Sequence, residues 1–591
     1  MRRNALHFAG LLAPALLLSA CATAEPQLNA DLMTGPASSY GLFLAGQGAL
    51  NDGRSSQAAA YFNQAAEVEG DTGIIAERAF TAAVLAGDIT RAAQMAPNGP
   101  DASDNGKRLG HLVVAVEAMA EGKPKLALPL LKTEDLGFVH RSAGALLAPW
   151  AAAMAGDTDG SLVRPQVRGD KVVDYFGLLG QAYLYERARR YDEAETDFKE
   201  LTKGDAPGDM MLLAYGGFLE RRGRRVDAQA IYNKGLTEEP QNSVLLAARD
   251  RAAAGKGAPP APSLKQGAAA ALIAPGAGMM AVKQTQYALT YLRLALRLDP
   301  QRNEAWLMVG DMMEAAGDTE AARAAYSTPK PGSPEYSAAQ AKLAWSFQNA
   351  GDGPAALKLA RDAAAAGGGQ EAQVTLADLL RANEKFAESA DVLSGVIGAN
   401  PDWRLLYARG VAYDRAGRWA DGERDLQAAL KQQPDDSELL NYLGYSWIDR
   451  GEHLSEALGM VQKAVGQNPH SGAMIDSLGW AYYRLGDYKK SVETLESAVE
   501  YEAGDPDINN HLGDAYWRVG RRDEALFQWR RVLTLAPEAK LKAEVEGKIA
   551  TGLGPAAPVG AAKMAGPVDA LAATKIPGPV DALAATKIPG Q

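Results

Sequence analysis

Cysteine is almost missing from this chain: 591 residues contain one, Cys21. That excludes an internal disulfide and any metal site built from thiolates. Histidine is nearly as scarce. His7, His111, His140, His453, His470 and His511 are the full set, and none has a second ligand at the spacing a metal site needs. No serine sits in a Gly-x-Ser-x-Gly elbow, and no glycine pair has the strand–turn–helix setting of a phosphate loop. The residues therefore point to no catalytic group, no metal and no cofactor, and the expectation is a protein that is not an enzyme. A basic stripe is absent too. Lys and Arg number 61 against 72 Asp and Glu, a formal charge of -11, which argues against nucleic acid as a partner. After the first twenty residues no apolar run is long enough to span a bilayer. Alanine-rich runs and little β-branched alternation leave helices as the expected structure throughout.

The one cysteine has an informative setting. Met1-Arg2-Arg3 is a short basic head, Ala5 to Leu17 is mostly apolar, and Leu18-Ser19-Ala20-Cys21 follows. This resembles a bacterial lipoprotein signal with its lipobox, cleaved before a cysteine that is then acylated. Cys21 is thus the expected lipidation site. A buried CH₂ contributes about 0.8 kcal/mol, so several acyl chains make a lasting anchor. Ala22 stands where an aspartate, in enterobacterial lipoproteins, favours retention in the inner membrane. The resemblance therefore implies the outer membrane, periplasmic face.

The most regular stretch runs from Trp403 to Pro537. Gly410, Gly444, Gly479 and Gly513 lie 34, 35 and 34 residues apart. An aromatic follows each by three residues: Tyr413, Trp447, Tyr482 and Tyr516. Next come a second glycine (Gly417, Gly451, Gly486, Gly520), a small residue (Gly422, Ala457, Ser491, Ala525) and a bulky one (Leu426, Val461, Leu495, Trp529). Units close near Pro434, Pro469, Ala503 and Pro537. This spelling resembles the tetratricopeptide repeat (TPR). It implies an all-α fold, an α-solenoid of helical hairpins. Small residues let the two helices of a unit approach, the second glycine takes a positive φ in the turn, and stacking buries one continuous core.

In chain order, residues 1–20 read as the lipoprotein signal and 21–38 as a tether. An N-terminal TPR-like array is expected over 39–254, degenerate in 101–169, where helical periodicity persists through Leu109–Met119, Leu126–Leu131 and Ser142–Met154. The run 255–267, rich in Pro and Gly, reads as a hinge or loop dividing the array. A C-terminal array follows over 268–537, opening with an irregular first helix near Ala268–Gln284, then a capping helix over 538–550. By this template the array holds roughly a dozen units. Residues 551–591 are rich in Pro, Ala and Gly and end in a tandem copy, GPVDALAATKIP at 566–577 and 578–589. Two readings of that tail stand: a disordered segment duplicated by slippage, or a short linear motif presented twice for avidity.

On the TPR frame, defined positions of each first helix line a partner-binding groove. Carried onto this chain they are Tyr407, Asp414 and Arg415; Asn441, Tyr445 and Asp449; Asp476, Trp480, Tyr483 and Arg484; and Asn510, Asp514, Trp517 and Arg518. Aromatics offer rigid contact area, arginine pairs with carboxylates, and asparagine bonds both peptide groups. The competing reading packs Trp480, Tyr483 and Trp517 between adjacent units. A lipobox ahead of a long TPR array, with Ile475-Asp476-Ser477-Leu478-Gly479-Trp480-Ala481-Tyr482-Tyr483-Arg484-Leu485-Gly486, resembles outer-membrane TPR lipoproteins that serve as adaptors of carboxy-terminal processing proteases. That resemblance implies a membrane-anchored scaffold binding periplasmic proteins, a protease and cell-wall (peptidoglycan) hydrolases among them. The alternative is a structural component in the assembly or export of an envelope polymer, exopolysaccharide or pilus.

Overall fold

A computed structural model describes residues 38–69, 73–204, 207–240, 242–366, 368–398 and 401–555. Cys21, the leader, most of the tether and the tandem tail lie outside the described residues. Among the described residues there is no strand, and no helix is long and apolar enough to cross a membrane.

The chain forms two compact units. Of the described residues, one unit holds those up to Ile231 together with Gly257–Asp299, and the other holds Tyr232–Lys256 and those from Pro300 onward. This differs from a division at 255–267. The hairpin after the break, Leu264–Ala281 and Thr285–Leu298, is expected from the sequence to open the C-terminal array. It packs instead into the first unit, on Thr133–Met154, Asp104–Ala120, Gly73–Ala86 and Lys171–Arg187. The reason is a set of long-range contacts with no repeat signature. Tyr291 donates its hydroxyl to the Val139 carbonyl (2.9 Å) and meets His140 Nδ1 at 3.0 Å. Arg297 donates to Glu117 at 2.7 and 3.0 Å. Gly267 lies so close to the Trp150 ring that a Cβ would stand 2.1 Å from it.

The helix expected to be irregular runs unbroken over Leu264–Ala281, with Pro275 inside it and a capping box of Ser263 and Gln266 at its start. The break itself is seated on its neighbours, because Arg221 donates from Nη1 to the Pro259 carbonyl at 2.9 Å. The degenerate 101–169 stretch is helical as expected: Asp104–Ala120 is followed by short turns over Pro124–Leu131 and then Thr133–Met154, kinked where Gly137 takes φ +63°.

The second unit is a run of hairpins that includes Trp403–Arg415 with Trp419–Gln432, Ser437–Arg450 with Leu454–Gln467, Gly472–Arg484 with Tyr488–Tyr501, and Pro506–Arg518 with Arg522–Thr534. The helix Ala539–Thr551 closes it. Helix starts are set by side-chain caps. Asp402, Asp436, Ser471 and Asp505 each accept from a main-chain N–H of the following turn, satisfying donors that have no intrahelical partner. Gly486, at φ +81°, makes the turn its repeat position requires. The close approach inside each hairpin is equally visible. A Cβ on Gly479 would sit 2.5 Å from Leu495 Cγ, and one on Gly513 2.5 Å from Trp529.

Candidate partner-binding wall

Successive first helices of the second unit touch one another: Tyr336–Asn349 packs on Gly369–Ala382, Ser437–Arg450 on Gly472–Arg484, and that on Pro506–Arg518. Side chains at equivalent positions therefore meet across repeat boundaries, and the predicted groove residues form one continuous wall. Its residues are not simply exposed, as the groove reading expects. Asp414, Asn441, Tyr445, Asp476, Asn510 and Asp514 are buried. Tyr407, Arg415, Asp449, Trp480, Tyr483, Arg484, Trp517 and Arg518 are half-buried.

The cause is a ladder of contacts one repeat apart. Asp414, with no exposed surface, accepts from Arg450 Nη2 at 2.5 Å and from the Tyr442 hydroxyl at 3.0 Å. Burial raises its pKa, against the pull of Arg450. Arg484 donates to the Asp449 carbonyl at 2.6 Å and to its carboxylate at 3.2 Å. His511 Nδ1 lies 2.9 Å from Asp476. Burial works against a charge on His511, yet Asp476, the hydrogen bond it accepts, Asp507 and Asp514 lift the imidazole to about 9. It is therefore an imidazolium at neutral pH. Asp507 is pushed up to about 7 by burial, with His511 opposing and Asp505, Asp476 and Glu538 adding to the rise.

Rings continue the ladder. Trp480 stacks on Tyr483 at 4.6 Å and on His511 at 4.2 Å, with interplanar angles of 7° and 18°, and Tyr407 meets Tyr442 edge-on at 5.9 Å. Arg415 lies 4.9 Å from the Phe386 ring. Trp480 and Tyr483 thus do pack between units, as the competing reading holds, but both keep part of their surface open. The indole Nε1 of Trp480 and the Oδ1 of Asn441 are buried without a partner.

At the C-terminal end the wall is covered by the chain itself. Lys548 from the closing helix donates to Asn510 Oδ1 (2.9 Å) and Asp514 Oδ2 (2.8 Å), and Trp529 Nε1 donates to Asp514 Oδ1 (2.9 Å). Trp517 faces Gly552, and Arg518 donates to the Gly554 carbonyl. Asn510, Asp514, Trp517 and Arg518, expected as free groove residues, are held this way because the capping helix supplies the contacts a further repeat would make. Arg450, Tyr442, His511 and Lys548 belong to the wall although the frame positions omit them. The signal that finds Arg450 and His511 is a charged or ionisable side chain 35 or 36 residues beyond an acid on the preceding first helix. Chemically, the open part is a row of flat rings bordered by carboxylates and guanidinium groups. Among the described residues no group of three or more His, Cys, Asp or Glu is placed to hold a metal ion.

Comparison with known proteins agrees with this class. The family described as "TPR repeat" matches residues 479–520, and that described as "Tetratricopeptide repeat" matches 179–243, 284–334 and 407–472. Over those stretches the chain carries tetratricopeptide repeats, and its described regular structure is helical throughout. It is similar to the TPR repeat-containing protein PA4667 of Pseudomonas aeruginosa, 34% identical over 113 residues, 19% of each chain. It is also similar to the peroxisomal targeting signal receptor of Saccharomyces cerevisiae, 25% identical over 21% of this chain and 20% of that one. This chain thus spans about a fifth of the length of each of these two relatives. Among solved structures, the Cut9–Hcn1 hetero-tetramer of APC/C aligns over 86% of this chain and 95% of that chain, at 14% identity and a TM-score of 0.36. A tetratricopeptide repeat protein from Parabacteroides merdae aligns over 42% and 99%, at 13% identity and a TM-score of 0.37.

Proposed function

We propose that this protein is a membrane-anchored scaffold whose first-helix wall binds periplasmic proteins and presents them to one another. The observation that carries the reading is the row Trp480–Tyr483, two stacked rings that the repeats fix in place while leaving part of each ring open. Rigid aromatics of this kind give contact area at little entropic cost and anchor protein interfaces. The lipobox around Cys21 supports lipid anchoring, and the resemblance to outer-membrane adaptors supports delivery of cell-wall hydrolases to a carboxy-terminal processing protease.

Affinity capture from envelope extracts tests the scaffold. The native chain is expected to retain a defined set of proteins, a protease and hydrolases among them, and Trp480→Ala is expected to lose at least tenfold of that capture with its helical content unchanged. Identical capture by both chains would count against the wall as the binding surface. The anchor is tested separately: Cys21→Ser should move the protein from the membrane pellet to the soluble fraction.

A further inference from the structure

The chain leaves its last helix across the wall. Gly552 lies against the Trp517 ring, where a Cβ would stand 2.0 Å from Cζ2. Leu553 is half-buried against the cluster around Trp529, and the Gly554 carbonyl accepts from Arg518 Nη1 at 2.6 Å. A stretch of non-helical peptide is thus already gripped through its main chain. From Arg518 the wall continues without a gap. Its Nε donates to the Tyr483 hydroxyl at 3.0 Å, Tyr483 stacks on Trp480, Trp480 on His511, and His511 pairs with Asp476.

The dipeptide at that exit recurs. Gly554-Pro555, Gly566-Pro567 and Gly578-Pro579 are spaced by 12 residues, and Lys563, Lys575 and Lys587 occupy the tenth place of each module. The tandem copies thus follow a segment, 554–565, that shares their Gly-Pro start and the Lys at the tenth place, and that segment begins on the wall. Residues 556–591 hold these three lysines against two aspartates, Asp569 and Asp581. Beyond Trp480 the His511 imidazolium is faced by Asp476, Asp507 and Asp514, and Asp505 and Glu538 act in turn on Asp507; Asp476 pairs with His511 and Asp514 with Lys548.

We propose that the first-helix wall of the last two repeats is the seat of the chain's own residues 556–589, which occupy it in cis until a partner displaces them. A proline biases the residue before it toward extended backbone, and Gly566 and Gly578 precede Pro567 and Pro579 as Gly554 precedes Pro555. The counter-charges for the lysines are Asp507 and Glu538, since Asp476 and Asp514 are already held by His511 and Lys548. A short tether gives an effective concentration in the millimolar range, so a weak module suffices to cover the wall. The proposal rests on the reading of the wall as a peptide-binding surface.

The test uses the full chain with a photo-reactive side chain in place of Leu571 or Leu583. Crosslinks are expected within one molecule, to Gly472–Arg484 and Pro506–Arg518, at a yield independent of dilution. The pair Lys575→Glu and Lys587→Glu, outside every described helix, should cut that yield at least fivefold, and a synthetic peptide of residues 566–589 should compete with it. Crosslinks only between molecules, only to other helices, or insensitive to the lysine changes would overturn the proposal. Partner capture by Trp480-bearing chains with no such crosslink would leave the scaffold reading standing and remove this one.

Discussion

At the scale of single residues, the array is held by close approaches and by buried pairs. Gly479 has no room for a side chain, since a Cβ meets Leu495 Cγ at 2.5 Å. Gly479→Ala is expected to destabilise the second unit by about 1–3 kcal/mol, the usual cost of overpacking. Gly459 lies on the exposed face of the helix Leu454–Gln467 with nothing within 4 Å of a Cβ. Gly459→Ala should be neutral or stabilising by up to about 1 kcal/mol, from helix propensity alone. Denaturant midpoints of the two variants check the contrast. Asp414 joins one repeat to the next through Arg450 and Tyr442. Asp414→Ala strands a buried guanidinium and should cost about 3–5 kcal/mol, a loss that urea unfolding reads directly.

At the scale of elements, the closing helix does for the last repeat what each repeat does for the one before. Its Val545 is fully buried and its Lys548 satisfies Asn510 and Asp514. Lys548→Met should raise amide exchange in Pro506–Arg518 by more than tenfold, with little effect on Gly369–Ala382, because stability in stacked repeats is set by nearest neighbours. Hydrogen exchange resolved by segment tests this. The helix pair Gly472–Arg484 and Pro506–Arg518 also carries a pH dependence. His511 titrates at about 9 when folded, above the ordinary 6.5, so the folded state binds the extra proton between those values. The stabilisation is complete below 6.5 and is lost as pH rises through 9. Thermal melting of the native chain should fall over that window, and His511→Gln should flatten the fall.

At the scale of the whole molecule, the first unit carries the opposite response. Burial, with Arg108 adding, holds His140 down to about 4, so the folded ring stays neutral while an unfolded one takes up a proton below 6.5. Its contribution is present above 6.5 and is lost as pH falls toward 4. Calorimetry in acid should show the first unit's transition moving to lower temperature, and His140→Gln should reduce that movement.

Much of this was legible in the residues. The repeat spelling determined the helical hairpins of 403–537, their turns and their small-residue contacts, because a 34-residue unit repeats the same local physics each time. It also placed the wall positions on one face, since that face follows from helix geometry. The tertiary structure alone decided two things. The hairpin 264–298 joins the first unit through His140–Tyr291, Glu117–Arg297 and Gly267–Trp150, contacts between residues more than a hundred positions apart that no period encodes. And the wall carboxylates Asp414, Asp449 and Asp476 pair with the next repeat rather than with solvent. A frame read one repeat at a time says where a side chain points, whereas its partner and burial depend on what the neighbouring repeat brings against it.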